Sequence, residues 1–278
     1  MPLSVALANS VNTIAVQLAD RVGPSNIIAN AKKMGITTLD DKDDNLAMAL
    51  GGLTRGVTPL EMASAYGTFA NKGVHVKPTA IVKILDRNGN VLEDESTLGK
   101  EENKTRVMSE KEAYEMTVML EGVIDYGTGT AAALGRPAAG KTGTTDDNKD
   151  AWFVGYTPDI VTAVWIGDDT GAHSLGEVYG GTIPAEIWKD YMSSAAADEP
   201  DREFAVPAGM ERMRARTALS NNSARVADDS KKEAATEKKE SDDKEKTDEK
   251  AESRSEEASR QPSEEARRQQ EDSNNKAQ

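Results

Sequence analysis

The 278-residue chain contains no cysteine, only two histidines and only three phenylalanines. The absence of cysteine excludes disulfides, thiolate zinc sites and cysteine nucleophiles. His75 and His173 are too few for a histidine metal cluster, and we interpret each as a lone, solvated side chain. We therefore expect neither a metal nor an organic cofactor.

Long hydrophobic runs and an excess of positive charge are also missing. No stretch approaches the ~18 apolar residues of a membrane-spanning helix, and no basic segment followed by an apolar one opens the chain. Lysine and arginine number 34 against 48 acidic residues, for a net charge of −14. Because phosphate contacts need clustered basic side chains, we expect no nucleic-acid partner.

The last 52 residues, 227–278, lack Val, Ile, Leu, Met, Phe, Trp and Tyr altogether. Such a segment cannot bury enough apolar surface to offset the entropy of the chain, so we predict a disordered charged tail. We assign residues 1–196 to one folded domain and residues 197–226 to a linker between that domain and the tail.

Helix signals dominate the first half of the domain. Two capping boxes, Thr58 with Glu61 and Ser109 with Glu112, mark helix starts. The predicted helices cover residues 13–22, 26–34, 58–71 and 109–124. A strand is predicted over residues 79–86, followed by a hairpin turn at Asn88-Gly89.

Strand signals follow in the second half, over residues 140–144, 151–156 and 160–166. The short connection at residues 157–159 makes the last two antiparallel neighbours. A closing helix is predicted over residues 184–193, with Ile187, Trp188 and Tyr191 on one side. We expect Trp152, Trp165 and Trp188 to form core between the sheet and this helix. Helices, then antiparallel strands, then a helix indicate an α+β fold.

The sharpest motif is Lys141-Thr142-Gly143-Thr144-Thr145. By chance, a given string such as Lys-Thr-Gly-Thr occurs in well under ~1% of chains of this size. On an edge strand, the lysine and the threonine hydroxyls can hold a carboxylate, and the glycine lets a substrate backbone approach. The simpler alternative is a polar turn between two strands.

Three further segments accompany this motif: residues 8–13 (ANSVNT), 127–131 (GTGTA) and 150–158 (DAWFVGYTP). Together the four segments resemble the penicillin-binding transpeptidases, and most of all the bifunctional class A penicillin-binding proteins, which join a glycosyltransferase to a transpeptidase. The resemblance runs in order through about residues 1–195. It implies the penicillin-binding transpeptidase (β-lactamase-like) fold, with a helical subdomain beside an antiparallel sheet.

That family uses the motifs Ser-x-x-Lys, Ser-x-Asn and Lys-Thr-Gly. Lys141 begins the third, and Ser10-Val11-Asn12 is the Ser-x-Asn that precedes it; two other matches, at Ser220 and Ser273, follow it. Side chains two residues apart on a helix point to different sides, so Ser10 and Asn12 can share a site only if the helix breaks around residues 9–12. The alternative is an ordinary pair of helix-capping residues.

Ser-x-x-Lys occurs only at residues 241–244 and 273–276, inside the predicted tail. A disordered segment cannot hold an oriented nucleophile. Because the family places its nucleophile upstream of Ser-x-Asn, we expect an N-terminally truncated transpeptidase domain with a partial sheet, inactive as written.

The resemblance assigns catalytic roles to Ser10, Asn12 and Lys141, and substrate-binding roles to Thr142, Gly143, Thr144 and Thr145. Ser10 would relay protons, Asn12 would hold the substrate amide, and Lys141 would supply positive potential. The hydroxyls of Thr142 and Thr144 would lie near the substrate carboxylate, and the N–H of Thr144 would donate to the oxyanion.

The partners implied are peptidoglycan stem peptides ending in D-alanyl-D-alanine, and β-lactams. The implied location is the extracytoplasmic face of the bacterial cell membrane, with attachment through a segment preceding residue 1. Two alternatives stay open. One is a D,D-carboxypeptidase or β-lactamase of the same fold, and the other is a non-catalytic module that binds stem peptide or a protein partner.

Deleting residues 227–278 should leave the unfolding midpoint of the remaining chain unchanged, because the deleted segment has no apolar side chain with which to dock. Thermal unfolding of the full chain and of the shortened chain, followed by circular dichroism, measures this. A drop of several degrees would show that the tail packs on the folded domain.

Overall fold

The computed structural model describes residues 1–94 and 103–214, which contain six α-helices and seven strands besides short 3-10 helices. The predicted tail and residues 215–226 of the predicted linker lie outside these residues. The helices, in chain order, are α1 (Leu3–Ala8), α2 (Asn12–Val22), α3 (Pro24–Lys33), α4 (Pro59–Ala70), α5 (Glu110–Asp125) and α6 (Ile183–Ala195). None of these described helices is both long and apolar enough to cross a membrane.

The strands form three antiparallel sheets. They are β1 (Val74–Val76), β2 (Ile84–Leu85), β3 (Val91–Glu93), β4 (Lys104–Arg106), β5 (Ala139–Thr144), β6 (Asp150–Tyr156) and β7 (Val161–Gly167). β1 pairs with β4, β2 pairs with β3, and the largest sheet has the order β5-β6-β7. Helices beside antiparallel strands confirm the predicted α+β class.

Both predicted capping boxes are confirmed at the starts of α4 and α5. The hydroxyl of Thr58 accepts from Glu61 N, and the carboxylate of Glu61 accepts from Thr58 N at 2.9 Å. Ser109 and Glu112 make the same reciprocal pair, with Ser109 N donating at 2.7 Å. Each box satisfies backbone N–H groups that a helix start leaves without a partner.

The hairpin β2–β3 is shorter than predicted. Instead of residues 79–86, only Ile84 and Leu85 form a strand, and they pair with Glu93 and Val91 of β3. The apolar side chains before it, Ile81 and Val82, are exposed. The alternation in the sequence was therefore not the signature of a buried strand face.

Strand β6 is the centre of the largest sheet and is covered on both faces. On one face Phe153 packs edge-on against Trp188 of α6, with ring centroids 5.2 Å apart. On the other face Tyr156 packs against Tyr66 of α4 and against Phe204. Phe153, Tyr156 and Trp188 have no exposed surface, so these contacts form the core of the domain.

The prediction that all three tryptophans lie between the sheet and the closing helix is correct only for Trp188. Trp188 Nε1 donates to the carbonyls of Gly155 and Thr162, both at 3.2 Å. Trp152 and Trp165 lie on the other face with ring centroids 6.1 Å apart and ring planes tilted by 40°, and Trp165 is 38% exposed. Their side chains alternate away from α6 because consecutive residues of a strand point to opposite faces.

The predicted apolar side of α6 is also corrected. Trp188 and Met192 are fully buried, whereas Ile187 and Tyr191 are 45% and 57% exposed. Residues four apart share a helix face, so these two pairs lie on neighbouring faces. The pair with the indole faces the sheet, because its ring buries the larger apolar area there.

His75 is buried, which contradicts the prediction of a solvated side chain. Its Nε2 lies 2.9 Å from Ser64 Oγ, and a Cβ on Gly35 would lie 2.6 Å from the same nitrogen. Burial lowers the pKa of His75. His173 is exposed as predicted, but it is not alone, since its Nδ1 lies 3.1 Å from Asp168 Oδ2.

The first part of the predicted linker, through Arg214, packs on the domain. Phe204 is buried against Tyr156. Met213 N donates to the hydroxyl of Tyr114 at 3.1 Å, and Arg202 pairs with Asp159 at 3.2 Å. The apolar Phe204 gives this segment a docking side chain that residues 227–278 lack.

Glu61 ties the start of α4 to residues 37–38 through one buried carboxylate. Besides the N–H of Thr58, it accepts from the N–H and hydroxyl of Thr37, at 2.7 and 2.8 Å, and from Thr38 N at 3.1 Å. Burial opposes the charged form and is the largest single influence on the pKa of Glu61. The hydrogen bonds from Thr58 and Thr37 together outweigh it and lower that pKa to about 2.

Replacing Glu61 by glutamine should lower the free energy of unfolding by about 2–3 kcal/mol, because hydrogen bonds to a charged acceptor are lost and buried N–H groups lose their partner. Glu112→Gln is the matched control, since Glu112 is the same capping-box residue in an exposed position. Urea unfolding of both variants measures the difference, and equal losses would contradict the role of Glu61.

The same carboxylate makes the stability of the domain depend on pH under acidic conditions. Because its folded pKa is about 2 against an ordinary 4.5, its contribution to stability is complete above pH 4.5 and is lost as the pH falls toward 2. The unfolding free energy of the unmodified chain should fall over this window more steeply than that of Glu61→Gln. Parallel curves would contradict the assignment.

Candidate functional site

The Lys-Thr-Gly motif lies on β5, which pairs only with β6 among the described strands. Lys141 opposes Val154 and Gly143 opposes Trp152 in the register. Gly140 allows Phe153 to pack beneath the strand, since a Cβ there would lie 2.8 Å from the phenyl ring. Residues 141–144 of this strand line one side of a cavity.

Ser10 reaches this strand through a break between α1 and α2. α1 ends at Ala8 and α2 begins at Asn12, and Ser10 has the left-handed value φ = 55°. Asn9 Nδ2 donates to Val5 O at 2.9 Å, and Val11 N donates to Ala6 O at the same distance. The helix break that the sequence required is present.

The amine of Lys141 donates to the hydroxyl of Ser10 at 2.7 Å, which joins residues 131 positions apart. The same amine donates to Thr142 O at 3.0 Å. Neither bond ends on a carboxylate, and burial lowers the pKa of Lys141 to about 8. A lysine with this pKa holds a proton loosely near neutral pH and can pass it to a hydrogen-bonded hydroxyl.

Asn12, the first residue of α2, lines the same cavity as Ser10 and the motif. The cavity has a volume of about 450 Å³. Its polar wall is β5 from Lys141 to Thr144 with Ser10 and Asn12, and its apolar wall includes Ile14 and Leu18 of α2. The structure thus brings together six of the seven residues that the sequence nominated.

The seventh residue, Thr145, does not line this cavity, and its hydroxyl bonds within the turn after β5. Its hydroxyl accepts from Lys149 N at 3.0 Å and from Asp150 N at 2.9 Å, which closes the turn between β5 and β6. Thr145 lines a larger adjoining cavity of about 880 Å³ with Trp152 and Trp165. Its side chain therefore positions the end of the strand.

Two threonine hydroxyls of β5 have partners that sequence reasoning missed. Thr142 Oγ1 lies 2.6 Å from Thr128 Oγ1, and Thr144 Oγ1 accepts from Gly180 N at 3.0 Å. The three threonines and Ser10 line a further cavity of about 420 Å³, beside Tyr179 and Thr182. The Gly-Thr-Gly turn at residues 127–129 was visible in the sequence, but nothing local indicated that its hydroxyl meets β5.

The arrangement can bind an anion and move a proton. One ammonium and several hydroxyls surround the cavity edge, which suits a carboxylate. The Lys141–Ser10 contact provides a path for a proton. No group of three or more His, Asp or Glu side chains within residues 1–94 and 103–214 lies close enough to hold a metal ion.

Comparison with known families gives a match over most of the described chain. The family profile of the penicillin binding protein transpeptidase domain matches residues 1–193. Among curated relatives, penicillin-binding protein 1A of Aquifex aeolicus is 43% identical over 212 residues, 74% of this chain and 27% of that protein. Penicillin-binding protein 1A of Neisseria meningitidis is 40% identical over 211 residues, 75% of this chain and 26% of that protein. The chain spans about a quarter of the length of these relatives.

Solved structures give the same match. Penicillin-binding protein 1A from Haemophilus influenzae aligns with a TM-score of 0.65 and 29% identity, over 75% of this chain and 36% of that chain. PonA1 from Mycobacterium tuberculosis, solved in complex with penicillin V, aligns with a TM-score of 0.66 and 32% identity, over 74% of this chain and 59% of that chain. The predicted transpeptidase fold is confirmed.

The side-chain amine of Lys141 should titrate near pH 8, because burial disfavours its charged form. Carbon NMR of the lysine Cε signals against pH measures this, with Lys141→Met identifying the signal. Between about pH 8 and 10.5 the unfolded chain holds a proton on this lysine that the folded chain has lost. The free energy of unfolding should therefore rise as the pH increases across this range. A midpoint at the ordinary 10.5 would contradict the burial argument.

Proposed function

Because the chain belongs to the penicillin-binding protein transpeptidase family, we propose that the site on β5 serves D,D-transpeptidation, which cross-links peptidoglycan stem peptides. The observation that carries the proposal is the 2.7 Å contact between Lys141 Nζ and Ser10 Oγ, at a cavity shared with Asn12 and the hydroxyls of β5. A binding module would need the hydroxyls and the charge, but not a proton path.

The reaction has two acyl-transfer steps. A serine oxygen attacks the carbonyl between the last two D-alanines of a stem peptide, an ester forms, and the amide C–N bond breaks. The attacking serine gives up its hydroxyl proton, and the departing D-alanine nitrogen takes one. We assign the delivery of that proton to Ser10, to which Lys141 donates, so both side chains end the step in their starting protonation states. An acceptor amine then attacks the ester, forms the cross-linking amide, and returns a proton by the same path to the serine oxygen.

Binding is assigned to the strand and the start of α2. The hydroxyls of Thr142 and Thr144 and the positive charge of Lys141 hold the terminal carboxylate of the substrate. The amide of Asn12 holds a substrate amide, and Gly143 lets the substrate backbone lie close to β5. The backbone N–H of Thr144 donates to the oxyanion that forms as the carbonyl is attacked.

The serine that carries the acyl group is not assigned to any described residue. Both Ser-x-x-Lys sequences of the chain, at residues 241–244 and 273–276, lie outside the described part. We assign this serine to a segment upstream of Ser10, within a longer parent that also carries a glycosyltransferase and works on the extracytoplasmic side of the membrane. β-Lactams acylate the same serine in this proposal, and the penicillin V complex of PonA1 supports that ligand class.

The 278-residue chain alone should form no covalent adduct with a fluorescent penicillin, because no described residue provides an oriented Ser-x-x-Lys. Gel fluorescence after incubation and denaturation measures this. A stoichiometric adduct would show that the serine lies within the chain.

A chimera tests the roles of Ser10 and Lys141 directly. Residues 1–214 replace the matching region of the Aquifex aeolicus relative, which leaves the upstream part of that protein intact. We expect penicillin labelling of the chimera, with a labelling rate at least about a hundredfold lower in Ser10→Ala and Lys141→Ala. Ser25→Ala and Lys111→Ala, both exposed and away from the cavity, are the matched controls. Equal rates in all four variants would overturn the assignment.

A further inference from the structure

Thr128 contributes a side chain to the site that the proposed function leaves without a role. Its hydroxyl lies 2.6 Å from the hydroxyl of Thr142, closer than the 2.7 Å between Lys141 and Ser10. Thr128 belongs to the turn after α5, 14 residues before Thr142. It also lines the cavity that Ser10, Thr142 and Thr144 share.

The backbone around Thr128 is fixed on three sides. Thr128 N donates to Ala8 O at 3.0 Å, and Gly129 N donates to Val123 O at 2.9 Å. A Cβ on Gly127 would lie 2.2 Å from Ala8 O, and one on Gly181 would lie 2.1 Å from Thr128 O. Only glycines allow this approach, so the turn is clamped between α1, α5 and the segment before α6.

Hydroxyl chemistry decides the direction of the Thr128–Thr142 bond once a ligand binds. Each hydroxyl has one proton, whereas a carboxylate only accepts. Thr142 can donate to a carboxylate only if it accepts from Thr128. Thr144 shows the same arrangement with a donor of known direction, since its oxygen accepts from Gly180 N and its proton stays available for a ligand.

We infer that Thr128 is a positioning residue: it donates to Thr142 Oγ1 and so turns the proton of Thr142 toward the ligand carboxylate. The inference rests on the proposed function, which places that carboxylate at Thr142 and Thr144. Thr128 itself does not contact the reacting atoms. Its effect on binding is therefore transmitted through Thr142 alone.

The experiment compares two probes on the full chain, N-acetyl-D-alanyl-D-alanine and its C-terminal carboxamide, by NMR titration. The ratio of the two affinities reports recognition of the carboxylate, because the probes differ only in that group. Thr128→Val should lower the preference for the acid about five- to tenfold, the loss of one oriented hydrogen bond. Thr128→Ser should restore it to within about twofold, because serine keeps the donor.

Two further variants separate positioning from a loss of structure. Thr130→Val, two residues away and exposed, should leave the preference unchanged. In a Thr142→Val background, Thr128→Val should change the preference less than about twofold, because the residue through which it acts is gone. Thermal unfolding of each variant checks that the turn stays folded.

The outcomes distinguish the two proposals. If the unmodified chain shows no preference for the acid, both the proposed function and this inference fail. If the preference is present and Thr128→Val retains it, the inference alone fails. A loss that Thr128→Ser does not restore, that Thr130→Val reproduces, or that persists in the Thr142→Val background also overturns the positioning role.

Discussion

The burial of β6 on both faces is the constraint on which the rest of this domain depends. Phe153 and Tyr156 point to opposite faces and have no exposed surface, so each face needs a covering layer. α6 covers one face through Trp188, and α4 covers the other through Tyr66. Because β5 is hydrogen-bonded to this buried strand, the Lys-Thr-Gly motif is anchored to the buried centre of the sheet.

Glycines around the site let neighbouring segments approach each other closely. Gly140 lets Phe153 lie under β5, and Gly127 and Gly181 let the Thr128 turn touch α1 and the segment before α6. A Cβ at any of these three positions would come within 3 Å of a neighbouring atom. The site is therefore built from backbones that lie nearly in contact, and its hydroxyls converge because no side chain separates the segments.

Ser10 occupies a backbone conformation that most residues avoid. Its φ of 55° costs of order 1 kcal/mol for a residue with a Cβ. The hydrogen bonds from Asn9 and Val11 to α1 offset that cost, and this conformation lets Ser10 accept from Lys141. The strained backbone at Ser10 thus places its hydroxyl beside the buried amine of Lys141, as a proton path between them would require.

The sequence by itself determined the elements whose signals are local. Capping boxes at Thr58 and Ser109, the turns that separate the strands, and the Lys-Thr-Gly string each depend on neighbours a few residues away. The resemblance of four short segments to the penicillin-binding transpeptidases nominated six of the residues that line the cavity. It also required a helix break beside Ser10, because side chains two apart on a helix diverge.

Only the tertiary structure decided which surfaces each element covers. Trp165 and Trp188 look alike in sequence, yet Trp165 on β7 is 38% exposed, whereas Trp188 of α6 is fully buried against the sheet. His75 is buried by Gly35, a residue forty positions earlier, and Phe204 docks a segment that composition had marked as a linker. The hydroxyl of Thr128 meets β5 through a turn clamped from three elements. Contacts of this kind join residues far apart in the chain, so no local pattern can encode them.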